Sequence, residues 1–162
     1  MAKWKLADGE LKHLDRLALI VIVYLVVVCG VGLLTGFYAF AAENRMLGVS
    51  LFGLAGSAVA ALTSCLDRYA RGFEREDGTS YPTSVESKEK FNRRMARWFF
   101  ARPFLGLFVA PVLAWGIELF VDDPDRFRSS IERVGFTAFM AGLLAKSVLD
   151  LIKGLFKNVF RA

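Results

Sequence analysis

The stretch Asp67–Arg102, DRYARGFEREDGTSYPTSVESKEKFNRRMARWFFAR, decides how this chain folds. It is a polar island: nine of the 21 Lys and Arg residues lie in it, and a pair of long apolar runs flanks it on each side. Such a pattern fits a connection between membrane-spanning pairs better than the surface of a soluble domain. The composition agrees, with 55% hydrophobic residues and 15 Phe in 162 positions. An ordinary soluble domain of this size is less apolar.

Working back from the island, the run before it reads as the second span, about residues 46–66. It is rich in small residues, and Gly53, Gly56, Ser57, Ala60 and Ser64 fall on one helical face. Lipid offers no hydrophobic drive between helices, so small residues let backbones approach and pack. That face is a candidate packing face or a candidate pore lining. It continues into Asp67, Arg68 and Arg71, which with Lys146 are candidate inner-mouth charges. Glu43-Asn44-Arg45 forms a tight turn to the first span, about residues 17–42, whose 26 residues carry no charge. About 20 apolar residues suffice to cross the hydrocarbon. A cleaved signal peptide competes with this reading, because a basic region precedes the run, but its apolar part is too long for one. In the N-terminal tail, Asp8 caps a short interfacial helix with Trp4 at headgroup level.

Within the island, the second-span helix is expected to persist to about Phe73. Glu76–Pro82 then forms a loop broken by Gly and Pro. Thr83 and Glu86 have capping-box spacing. A basic amphipathic helix follows, with Phe91, Met95, Trp98 and Phe99 on one face. Lys90, Arg93, Arg94 and Arg97 are candidate contacts to lipid headgroups or another anion. Arg102-Pro103 marks the start of the third span, about residues 104–121, because proline suits a first helical turn. Pro111 is expected to bend it, and Glu118 lies near its end. Ser129 and Glu132 form a second capping box, opening a helix that runs to about Phe160 with the fourth span at about 134–152. Lys146 and Asp150 lie four residues apart near its inner end.

The expected fold is therefore all-α: an integral membrane protein of four transmembrane helices in two antiparallel hairpins, with cytoplasmic amphipathic helices, as a single domain over 1–162. The island 67–102 and the two tails carry 17 Lys and Arg, and the first and third connections carry four. The positive-inside rule puts both termini and the island in the cytoplasm, and a plasma or inner membrane is the expected location. The opposite face is acidic, with Glu43, Glu118, Asp122 and Asp123 as candidate outer-mouth residues.

No chemistry-bearing constellation emerges. His13 has no companion at metal-ligand spacing, and Cys29 and Cys65 have no evident activating partner. Neither an enzyme nor a cofactor is expected. Basic residues cluster between apolar runs rather than in one stripe, so nucleic acid is not an expected partner. The leading expectation is a small homo-oligomeric channel, cation-favouring because acidic rings concentrate cations. Its island would regulate it or anchor it to anionic lipid. The alternatives are a non-conducting accessory or scaffold subunit with a membrane or cytosolic protein partner, and a membrane-disrupting, holin-like effector.

Overall fold

A computed structural model describes residues 9–74, 80–81, 90–118 and 130–159. Four helices dominate: α1 (Gly9–Ala41), α2 (Arg45–Arg71), α3 (Arg93–Glu118) and α4 (Ile131–Val159). Between α2 and α3 lie two short strands, β1 (Phe73–Glu74) and β2 (Ser80–Tyr81). All four helices are long and apolar enough to cross a membrane. Trp4 and Asp8, the Thr83 and Glu86 pair, Asp122 and Asp123 lie outside the described residues.

The first helix shows how much apolar surface the fold leaves uncovered. Its buried residues Leu11, Leu14, Ala18, Val21, Leu25, Gly32, Gly36 and Ala39 recur at steps of three or four, with one step of seven between Leu25 and Gly32, a single seam. The other faces expose Leu19, Val23, Val27, Leu34 and Phe37. On α3, Phe104, Phe108, Val112 and Trp115 are exposed at successive turns, and on α4 so are Phe136 and Leu144. Water would not tolerate so continuous an apolar surface, whereas hydrocarbon accepts it.

The central element is α2. Half of its most apolar window is buried, against 22–33% for the other three helices. It packs on α1, α3 and α4, and α3 also packs on α4. Toward α1 the contacts step along both helices: Phe40 lies over Gly48, Phe52 over Gly36, and Leu51 and Ala55 over Gly32. A Cβ on Gly36 would sit 2.9 Å from the Phe52 ring, so these small positions set how closely the two helices approach. The turn between them is made by Glu43 at φ 59° and by Asn44, whose side chain accepts a hydrogen bond from the Leu47 amide at 3.3 Å. Asn44 thereby satisfies one of the free amides of the first turn.

Two apolar clusters occupy opposite ends. Phe40, Val49, Phe52, Ala110, Ala114, Val134 and Ala138 form one, near Glu43 and Glu118. Ala18, Val21, Leu25, Ala61, Cys65, Phe91, Ala96 and Phe99 form the other, near the basic end. Between them the helices meet backbone to backbone at glycines.

Several local expectations need correction. The tail helix is not separate: α1 is continuous from Gly9, about 50 Å long at 1.5 Å per residue. The second helix stops at Arg71 rather than near Phe73, because Gly72 at φ 110° turns the chain. Phe73 and Glu74 then pair antiparallel with Tyr81 and Ser80. The segment also binds the start of α3: the Glu74 amide donates to the Phe91 carbonyl and the Phe91 amide to the Gly72 carbonyl, each at 2.9 Å.

The basic amphipathic helix and the third span are one helix, since α3 runs from Arg93 through both Pro103 and Pro111. Asn92 caps it, its Oδ1 accepting from the Met95 amide at 2.8 Å. Pro103 removes one helical hydrogen bond, and neighbours serve the carbonyls around it. Tyr24 donates to the Phe100 carbonyl at 3.1 Å and Ser57 to the Arg102 carbonyl at 2.8 Å. Hydroxyls from adjacent helices are one means of tolerating proline inside a long helix, and these two serve carbonyls near that of Phe99, the one Pro103 leaves without its helical donor. At α4 the cap is Ser130, one residue later than expected: its Oγ accepts from the Arg133 amide at 3.3 Å. As expected, α4 continues unbroken beyond the span to Val159.

Candidate functional site

The residues singled out in the sequence separate into three places. The small-residue face of α2 lies in the middle of the bundle. A Cβ on Gly53 would overlap the Ala110 side chain and the Gly106 carbonyl. One on Gly106 would overlap the Gly53 carbonyl and sit 2.7 Å from Ser57 Cβ. One on Gly142 would also strike the Gly53 carbonyl, and one on Gly56 the Phe139 carbonyl. Gly53, Gly56 and Ser57 are therefore buried against α3 and α4, and Ala60 and Ser64 further along are half-buried. In this structure Gly53, Gly56 and Ser57 serve as a packing face within the chain. The sequence reveals that backbones approach here, but not that α3 and α4 of the same chain supply the approaching backbones.

The acidic end holds Glu43, exposed in its turn, and Glu118, half-buried at the last described position of α3. They flank the cluster around Phe40 and Phe52.

The basic end gathers most of the charge. Asp67 and Arg71 form an ion pair at 3.1 Å, one helical turn apart and substantially exposed. Such a pair contributes little to stability. Arg68 is half-buried beside them. Arg93, Arg94 and Arg97 are exposed on the first turns of α3, with Trp98 among them. Lys146 and Asp150 are exposed on α4. Asp15 of α1 accepts a hydrogen bond from Tyr69 at 2.8 Å, and Glu74 accepts one from Asn92 at 2.9 Å. These bonds tie α1, α2, the strand segment and α3 into one structured cap.

Lys90 departs from expectation. It precedes α3 rather than lying on its polar face, and it is fully buried beside Phe91. It therefore does not share the exposed surface of Arg93, Arg94 and Arg97.

Arg102 is the residue that sequence reasoning missed as a site. It is only 8% exposed, and its Nη1 donates to Ser64 Oγ at 3.0 Å. Ser64 in turn donates to the Ala60 carbonyl at 2.9 Å. In the sequence, Arg102 looks like the last charge before a span, and only the continuity of α3 through Pro103 carries it into the bundle. Among the described residues, no group of three or more His, Cys, Asp and Glu side chains could hold a metal ion. Cys65 is buried and Cys29 half-buried, both as free thiols.

The chain matches no protein-family model, no curated protein and no solved structure.

Proposed function

We propose that the protein is a non-conducting subunit of a membrane assembly, built as two antiparallel helical hairpins, whose basic end is a cytoplasmic platform for lipid and a protein partner. One observation carries this reading: the α2 face best suited to line a pore is used in the core of the bundle, at Gly53, Gly56 and Ser57. Backbone contact between α2, α3 and α4 at Gly53, Gly56, Gly106 and Gly142 supports a closed centre rather than a water-filled one. The charge asymmetry supports the orientation, with 17 Lys and Arg on the tail-and-island side and four on the other. Exposed Arg93, Arg94, Arg97 and Trp98 suit a leaflet surface, arginines toward anionic headgroups and the indole at the interface.

A second reading is an oligomeric, cation-favouring channel formed between subunits. Exposed Lys146, Ser147 and Asp150 on α4 favour it, because charged groups on the outer face of a span gain from facing another subunit or water. Glu43 and Glu118 would then stand at the outer mouth. Purified protein in planar bilayers separates the readings. The scaffold reading expects no unitary currents across voltage and pH. Cation-selective unitary currents from a defined oligomer would establish the channel instead. Growth arrest with membrane depolarisation on expression would favour the disruptive effector.

A further inference from the structure

We infer that Arg102 and Ser64 form a binding site for the phosphate group of an anionic phospholipid, held at the inner edge of the α2–α3 contact. The inference rests on the membrane reading but not on the choice between scaffold and channel.

Arg102 presents a fork of five N–H donors, always charged. The residue is 8% exposed. Among the described residues, that fork makes one hydrogen bond, from Nη1 to Ser64 Oγ at 3.0 Å. Its backbone carbonyl is already taken by the Ser57 hydroxyl. Carboxylates of the same end are engaged elsewhere: Asp67 with Arg71, Asp15 with Tyr69, and Glu74 with Asn92. A desolvated guanidinium with most of its donors open is costly unless an anion meets it. Guanidinium matches phosphate in planar, bidentate geometry, which a single serine hydroxyl cannot supply.

Position selects the source of the phosphate. Toward the chain start, α3 carries exposed Arg93, Arg94 and Arg97, the nearest of them five residues or about 7.5 Å away along the axis. Toward the chain end, the exposed surface becomes apolar at Phe104 and Phe108. Arg102 thus stands at the boundary between a basic surface and a hydrocarbon-facing one, the depth of a lipid phosphate. Its partner Ser64 is half-buried rather than buried, so the site lies at the margin of the bundle and not at its centre. The exposed arginines attract anionic lipid generally, while Arg102 and Ser64 hold one phosphate.

Native mass spectrometry of the full chain, titrated in detergent with phosphatidylglycerol or phosphatidylcholine, tests this. One phosphatidylglycerol should bind at least tenfold more tightly than phosphatidylcholine. Arg102→Gln should abolish that preference, Ser64→Ala should weaken it several-fold, and Arg97→Gln should leave the tight site in place. Ser64→Ala keeps the test decisive should Arg102→Gln fail to fold. Equal binding of the two lipids, or undiminished phosphatidylglycerol binding in the Arg102 and Ser64 variants, would overturn the site. Binding of inorganic phosphate to delipidated protein that displaces the lipid at equal concentration would overturn the lipid as its source. A protein that leaves the membrane fraction at high pH without detergent would instead overturn the membrane reading itself.

Discussion

Gly53→Ala should destabilise the detergent-solubilised bundle by about 3 kcal/mol or more, at the upper end of what overpacking costs. Gly53 is where three helices meet. Its carbonyl lies against both Gly106 and Gly142, and its missing Cβ leaves room for Ala110. The obstructing atoms are backbone or a methyl directly attached to it, so no rotamer change relieves the overlap and whole helices must separate. Gly106→Ala and Gly142→Ala should behave alike, because each strikes the same Gly53 carbonyl. Gly30 and Gly116 provide the contrast: an added Cβ there meets nothing within 4 Å. Alanine at either should be neutral or should stabilise by up to about 1 kcal/mol through helix propensity alone. Thermal unfolding of the five variants in one detergent reads the difference. A Gly53→Ala protein as stable as Gly116→Ala would remove the three-helix contact from the account.

Phe99→Ala should cost about 3–5 kcal/mol, the range for a buried phenylalanine truncated to alanine. The ring is 1% exposed, packed among Ala18, Val21, Leu25 and Cys65, and stacked on Phe91 with centroids 6.4 Å apart. It joins the strand segment to the helices, so its loss should also release the Phe73–Phe91 bridge. The neighbouring Trp98 is exposed on the same turn. Trp98→Ala should leave stability nearly unchanged and weaken association with the leaflet, since an interfacial indole anchors rather than packs. Chemical denaturation together with proteolysis at the basic end measures both effects. Equal stability loss in the two variants would show that this end has no packed core.

Four helices able to cross a membrane are legible in the sequence because that capacity depends on length and apolar composition, which the sequence states directly. Uncharged runs longer than a bilayer and a 17-to-4 asymmetry of basic residues need no tertiary knowledge. Helix boundaries at prolines were less legible. Pro103 reads as a first-turn residue, yet α3 continues through it while Tyr24 and Ser57 from other helices serve nearby carbonyls. A residue 46 or 79 positions away from a proline is invisible to local reasoning. The same break hides Arg102 in the sequence, because it becomes an interior residue only once α3 is continuous. Lys90 is hidden for a related reason: helical periodicity continues on paper two residues before Asn92, whereas the backbone there pairs with β1. The small-residue face of α2 was found as a feature, but its use depends on which neighbours arrive, and Gly106 and Gly142 gave no sequence signal tying them to Gly53.

In the closed-bundle reading, the α2 face at Gly53, Gly56 and Ser57 is sealed inside one chain. A single thiol at Ser57 tests it most directly, with Cys29→Ala and Cys65→Ala removing the native thiols. In permeabilised native membranes, Ser57→Cys should resist a charged, water-soluble methanethiosulfonate reagent until the protein is denatured, while Asp67→Cys on the exposed end of α2 labels at once. Labelling of Ser57→Cys in the native membrane at a rate comparable to Asp67→Cys would mean that water reaches the face, and the closed bundle would have to give way to a pore.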